Sequence, residues 1–420
     1  MIAESLDIAD ELLLLLAGIM LLGFVGEIAF RKKRIPDMLV LLLIGILIHY
    51  SRIIPGTYIS LLRTLLPFVG VVALTLIVFG GLLRLDLQKF GHSVYKGIWI
   101  AIADLAFVIG LMTPILYFVF KIPLLESLLI TTILSETAAP FIIPLLSRLK
   151  LNEEFTHSIE VETIINSVLN VIGALLILSI IDQQASLINI PGFLFGSISE
   201  AIVLGGVVGI AWLIVLKQAS APHYYIATVA VLLALWALSD YIGASAILSI
   251  FIFSIIIANS LPISKIMKIS GTVDTSQLNY FNQEITFIIL TIFYVYTGIL
   301  INIFDFHALL LGLVFTAVLV AIRLFETFSV NGITKWFGKD SLLVSSFVHR
   351  GPTVIVLLGI LLSSNVPIFN AFGNTIFYVV ILTILAGSLS YSVISRRYAT
   401  STTAAEIPLP EQTDPETKLS

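Results

Sequence analysis

Cysteine is absent from the 420 residues. That excludes a disulfide framework, a thiolate metal site and thiol catalysis, and leaves the redox compartment open. Charge is also scarce: Asp, Glu, Lys and Arg together make up 11% of the chain, against about 25% in soluble domains. The net charge of −4 comes without any basic block, so nucleic acid is set aside as a partner. No GxGxxG or P-loop glycine pattern is found, and no His-Glu-x-x-His or paired-Asp motif, which removes the usual signs of nucleotide binding and of an intramembrane metalloenzyme. The sequence calls for no cofactor and no resident metal. What it has in abundance is apolar surface. With 58% hydrophobic residues and a mean hydropathy of +1.08, it reads as an all-α polytopic membrane protein.

Apolar stretches long enough for roughly 30 Å of hydrocarbon fall near 9–30, 36–50, 66–85, 94–120, 123–147, 156–181, 191–216, 223–240, 243–259, 280–303, 306–329, 341–363 and 372–395, giving thirteen expected spans. Of the 22 basic residues, Arg52, Arg63 and Lys121 lie in one set of alternate loops, Arg323 and Arg350 lie inside spans, and all the others lie in the opposite set. Because cytoplasmic loops collect Lys and Arg, this asymmetry predicts an outside N-terminus and a cytoplasmic C-terminus in the cell membrane. The first ten residues carry acids and no basic n-region, which argues against a cleaved signal peptide. Residues 1–397 read as one membrane domain. Residues 398–420, rich in Thr, Ser, Pro and acids, read as a short disordered cytoplasmic tail.

Two of the spans are interrupted by polar clusters at mid-length, Ser135-Glu136-Thr137 with Pro140, and His349-Arg350-Gly351-Pro352-Thr353. A charge at the bilayer centre costs at least about 2.5 to 3.5 kcal/mol on insertion scales, so such residues read as functional. Broken helices in the two halves of a chain point to the ion site of a secondary transporter, built from inverted repeats whose interrupted helices cross near the midplane. Pro140 lacks an amide donor and would clash with the Glu136 carbonyl four residues back. Oxygen ligands of this kind suit a hard monovalent cation rather than a soft transition metal.

The following span carries Glu162, Asn166 and Asn170 at every fourth position, one polar stripe on one helix face with Thr163 and Ser167 beside it. Interhelical polar glue would account for Asn170. Glu162 needs a counter-ion, and the expectation is a structural or gating ion pair with Arg350, which leaves Glu136 free to exchange ligands. Arg323, with Glu326 at i+3, is expected to pair locally or to snorkel. Asp104 is compatible with three roles: a place in an ion path, a water-filled crevice, or a pair with another helix.

In this order the motifs resemble the sodium/proton exchanger domain of the monovalent cation/proton antiporter superfamily, and in particular its prokaryotic branch with an Arg opposite the motif glutamate. Ser135-Glu136-Thr137 looks like that branch's Thr-Asp-Pro crossing, Glu162-Thr163-Ile164-Ile165-Asn166-Ser167 like its Glu-Ser-x-x-Asn-Asp motif, and Arg350-Gly351 like its Arg-Gly motif. Trp236 to Asp240, Ala246 to Asn259, Glu284 with Gly298, Arg323, and Thr383 to Arg397 extend the likeness over roughly residues 10 to 397. The resemblance implies a homodimer formed through spans outside the ion-binding bundle. The chain departs from the pattern at Ser167, where the branch has a titrating Asp, and at Gly80 and Gly81, where an acid often stands in the third span.

Exchange chemistry would then rest on Glu136, with Ser135, Thr137, Thr163, Asn166 and Ser167 as neutral ligands. An ionised carboxylate is costly to bury alone, so proton and cation would compete for it, one Na⁺ or K⁺ against one H⁺, without net charge movement. Two other readings of the same fold stand beside this one. The chain could be a non-transporting sensor or scaffold, because Ser167 cannot titrate, or an ion channel of altered specificity.

Overall fold

Among lipids a backbone N–H or C=O has no water to bond to, so a spanning chain satisfies these groups within helices. The computed structural model describes scattered positions in 17–25 and residues 37–51, 56–85, 91–146, 149, 151–182, 190–218, 224–268, 273–300, 304–363 and 368–403, and among these no strand occurs. In chain order the helices are α1 Asp37–Ser51, α2 Gly56–Leu83, α3 His92–Pro114 with a π-helical extension Ile115–Val119, α4 Leu124–Leu134 and α5 Ala139–Leu146. Then follow α6 Glu153–Asp182, α7 Ile190–Gln218, α8 Tyr224–Ile242, α9 Ala246–Ala258 and α10 Ser260–Met267. The last are α11 Thr275–Leu300, α12 Phe306–Thr334, α13 Ser341–Ser345, α14 Pro352–Ser363 and α15 Ile368–Thr403.

Two groups of helices emerge from who packs on whom. In one, α3 and α6 lie against each other with α4 between them, α12 packs on α3, and α15 packs on both α12 and α14. In the other, α1 lies against α11, and α7 and α8 against α9. Helix α2 joins them, touching α9 and α11 on one side and α14 on the other. The first group repeats a unit of long helix, broken helix, long helix. It appears as α3, α4/α5, α6 and again as α12, α13/α14, α15. Counting one crossing for each intervening span, the second unit enters from the opposite side, the inverted repeat that the two interruptions predicted.

Seven helical stretches among the described residues are long and apolar enough to cross a membrane, one of them running through the break between α4 and α5, or eight if α9 and α10, bent by 79° at Asn259, form one crossing. Each expected span from the second onward coincides with one helix or one broken pair. The first, 9–30, lies almost wholly outside the described residues. Helix α15 continues to Thr403, six residues into the stretch expected to be a disordered tail. Residues 404–420 lie outside the described residues.

Glycine sets one of the tightest contacts. A Cβ on Gly45 in α1 would stand 2.0 Å from the Val295 carbonyl oxygen, and one on Gly298 in α11 would stand 2.3 Å from that of Leu42. The two backbones touch directly, the small-residue solution to helix packing where lipid offers no hydrophobic drive.

Candidate ion-exchange site

The two breaks meet at the centre of the first helix group. Helix α4 stops at Leu134 and α5 starts at Ala139, while α13 stops at Ser345 and α14 starts at Pro352. Pro140 does not open a helix from within. It is the second residue of α5, where its missing N–H would have had no intrahelical partner, and the interruption is the segment Ser135–Ala138 itself. The Ala138 N–H donates to the His349 carbonyl at 3.0 Å, tying one break to the other. A Cβ on Gly351 would come within 2.6 Å of the Ala138 Cβ, so glycine is what lets the two strands of backbone cross.

Glu136 sits at this crossing with 1% of its surface exposed. Its Oε2 accepts from the Gly351 N–H at 2.9 Å and the Val354 N–H at 3.3 Å, and the Thr353 hydroxyl also bonds its carboxyl. These are the first amides of α14, so Glu136 caps that helix from another part of the chain and meets the positive end of its dipole. Among the described residues no basic side chain forms an ion pair with it. Its other oxygen, Oε1, faces the Ser167 hydroxyl at 3.5 Å.

The remaining expected ligands are engaged elsewhere. The Thr163 hydroxyl bonds the Glu160 carbonyl of its own helix at 2.9 Å, and that of Ser135 bonds the Thr132 carbonyl at 2.7 Å. Ser167 also reaches the carbonyls of Thr163 at 3.0 Å and Thr137 at 3.4 Å. Asn166 splints the break: its Oδ1 accepts the Thr137 N–H at 2.8 Å and its Nδ2 donates to Asp104 Oδ2 at 2.8 Å. Asn170, one turn on, donates to the Thr132 carbonyl, to that of Ile133 at 3.0 Å and to Ser135 Oγ at 3.2 Å. The polar stripe of α6 thus gives the Ile133 carbonyl, near the C-terminus of α4, a donor and adds one to that of Thr132, which Ser135 already bonds.

The expected pair of Glu162 with Arg350 is not formed. Glu162 Oε1 meets Arg323 Nη2 at 3.3 Å, and Arg323 Nη1 also reaches Asp104 Oδ1 at 2.9 Å and Glu326 Oε2 at 3.0 Å. The local i+3 pair of Arg323 and Glu326 exists, but Arg323 does not snorkel, being 1% exposed. One acid cannot saturate a planar fork of five donors, and α12 packs on α3, so the fork gathers carboxylates from three helices. Of the three roles open to Asp104, the structure gives the interhelical pair, and its Oδ2 further accepts from the Thr137 hydroxyl at 3.3 Å.

Arg350 is equally buried, yet none of its guanidinium nitrogens has a hydrogen-bond partner among the described residues. Its backbone N–H donates to the Thr383 hydroxyl at 3.3 Å. His349 stacks on Phe141 with ring centroids 6.0 Å apart and lies 3.4 Å from the Ser388 hydroxyl.

Sequence reasoning missed the backbone amides of Gly351 and Val354, which carry no side-chain signature, and Glu326 as a member of the central cluster. A full tally of buried acids against buried bases would have flagged the latter. Arg323 was seen but assigned only its local partner.

The chain matches the family described as sodium/hydrogen exchanger, transmembrane, over residues 11–395. It is 23% identical over 372 residues to the K(+)/H(+) antiporter NhaP2 of Shewanella sp. strain ANA-3, which covers 86% of this chain and 62% of the relative. The chain therefore spans less than two thirds of the length of that relative. It is 24% identical over 291 residues, 67% of either protein, to the probable Na(+)/H(+) antiporter 2 of Methanocaldococcus jannaschii. Its fold is that of the sodium proton antiporter MjNhaP1 of the same organism, solved at pH 8, with a TM-score of 0.76 over 90% of this chain and 98% of that one at 19% identity. Residues 11–395 take in both broken helices and every acid of the central cluster, and the chain belongs to the transmembrane sodium/hydrogen exchanger family.

Proposed function

We propose that the protein exchanges a monovalent cation, Na⁺ or K⁺, for protons across the cell membrane, one for one, at Glu136. The observation that carries this reading is the setting of that carboxylate. It is buried where two broken helices cross, and it is held by backbone amides and hydroxyls while both nearby arginines leave it unpaired. A carboxylate locked to arginine would have no reason to release a proton or take a cation. One held by neutral donors, in a site too dry for a lone negative charge, must hold one or the other.

Ser167, at 3.5 Å, is the neutral oxygen placed to join Glu136 around a cation. The Thr137 carbonyl that Ser167 touches lies next to it. Ser135, Thr163 and Asn166 shape the break rather than line it. Glu162, Asp104 and Arg323 form the structural frame. The basic loops face the cytoplasm, and two copies associate through the helices outside the α3–α6 and α12–α15 units. Residues 1–397 act as the exchanger domain.

The test is a pH gradient across liposomes carrying the purified protein. Saturable collapse on adding Na⁺ or K⁺, lost in Glu136→Gln, is the expected result. Unsaturable conductance would mean a channel, and no response to either cation would mean a sensor or scaffold; either outcome sinks the proposal.

A further inference from the structure

A cleft of about 300 Å³ opens where the starts of α3 and α6 meet the end of α12, away from the Glu136 crossing. One wall carries Lys96, the second Glu154, and the third the turn with Lys335, Trp336 and Lys339. The floor is apolar. Ile100, Ile159 and Phe337, each at most 3% exposed, pack there in one cluster. Ile100 and Ser158 precede Asp104 and Glu162 by four residues, so the cleft ends about one helical turn short of the central acids.

Its charge is the reverse of what a cation entrance needs. Three lysines face two carboxylates, Glu154 and Asp340, an excess of one positive charge, and a cleft of that sign gathers anions. Lys96 Nζ stands 2.8 Å from Glu154. Lys335 and Lys339 are exposed and form no ion pair among the described residues. The turn that presents them is held: Lys335 closes α12 in the left-handed conformation, φ 58°, and Asn331 Oδ1 accepts from the Phe337 and Gly338 amides at 3.0 and 2.9 Å. At the mouth, Trp336 meets Tyr95 edge-on with centroids 6.4 Å apart, and Tyr95 meets Trp99 at 6.2 Å. Tyr95 and Trp99 are about half exposed on an apolar helix, the disposition of the aromatic belt at the level of lipid headgroups.

We propose that this cleft binds a phosphate group, and the aromatic belt at its mouth points to the phosphodiester of an acidic phospholipid. Lysine holds phosphate as a point charge without demanding a planar fork, and basic pockets between membrane helices are where acidic headgroups lodge. The single negative charge of a phosphodiester matches the single positive excess. It supplies the anion that the described residues do not offer to Lys335 and Lys339, while the acyl chains lie over Tyr95 and Trp99. The site is separate from the exchange site, because the apolar floor stands between them. It nonetheless ties together the ends of α3 and α12, the helices that carry Asp104, Arg323 and Glu326.

Native mass spectrometry of the full chain in detergent, with phosphatidylglycerol or phosphatidylcholine added, tests this. Phosphatidylglycerol should be retained in preference to phosphatidylcholine. Its apparent affinity should fall about tenfold or more in Lys335→Gln/Lys339→Gln, the loss of charge-assisted contacts. Lys265→Gln/Lys268→Gln, which removes the same charge from other exposed positions, should leave it unchanged. A second arm uses inorganic phosphate alone: if it raises the unfolding midpoint of the parent but not of Lys335→Gln/Lys339→Gln, and phosphatidylglycerol is not retained, the phosphate site stands and its occupant is the free anion. Retention undiminished in Lys335→Gln/Lys339→Gln, an equal fall in Lys265→Gln/Lys268→Gln, or no response to either probe overturns the proposal. Both readouts are of binding, so a failure of exchange in liposomes would leave this result standing on its own.

Discussion

Arg323 and Arg350 are the same residue type at the same burial, with opposite surroundings. Arg323 holds three carboxylates from α3, α6 and α12 at 2.9 to 3.3 Å, while the Arg350 guanidinium bonds nothing among the described residues. Removing one member of a buried charge network leaves the others uncompensated, at a cost of about 3 to 5 kcal/mol. Arg323→Ala is therefore expected to lower the thermal unfolding midpoint of the detergent-purified protein clearly more than Arg350→Ala. Equal midpoints would mean that the three acids do not depend on Arg323. Glu136 gives a second contrast. Its carboxyl reaches both the Gly351 amide and the Ser167 hydroxyl, a span that the shorter side chain of Glu136→Asp cannot cover. The apparent cation affinity of that variant, read from the dependence of proton flux on Na⁺ or K⁺, should fall by about tenfold or more, the value of one charge-assisted hydrogen bond.

The elements were legible in the sequence to the degree that lipid dictated them. Hydropathy located the helices because a long apolar run satisfies its backbone in hydrocarbon within a helix, and the paired polar clusters located both breaks. The partner of Glu162 was not legible. Choosing between two buried arginines depends on how α12 turns its face toward α3 and α6, and i+3 spacing suggested a local pair that is real but incomplete. Nor could Pro140 be placed from its number alone, since proline breaks a helix from within and starts one equally well. Asn170 meets the expectation of interhelical polar glue, and its object is the C-terminal carbonyls of α4. Asn170→Ala would strip the Thr132 and Ile133 carbonyls of that donor and cost about 1 to 3 kcal/mol, whereas Asn170→Asp would add a carboxylate facing them and cost more. Unfolding midpoints in that order check the splint; an alanine variant as stable as the parent removes it. Where α1 meets α11, Gly298→Ala would drive a methyl into the Leu42 carbonyl, and the yield of monodisperse protein should drop while the exposed substitution Phe328→Ala on α12 leaves it unchanged.

At the scale of the whole molecule, the decisive quantity is how much charge crosses per cycle. Each elementary charge moved through 100 mV exchanges about 2.3 kcal/mol with the membrane potential, a factor near fifty in equilibrium distribution, so voltage dependence separates stoichiometries cleanly. With Glu136 as the sole exchanging acid and the Arg323 cluster at fixed charge, one cation leaves as one proton enters, and flux in liposomes should not respond to a potential imposed by an ion gradient. Ser167→Asp supplies the contrast. It would place a second carboxyl beside Glu136 Oε1, where the hydroxyl now stands at 3.5 Å, and two adjacent carboxylates cannot both stay ionised without a bound cation. That variant should take up an additional proton whenever the cation departs, and its flux should become voltage-dependent while that of the parent stays flat. A parent protein already driven by voltage would show that a second group titrates during transport.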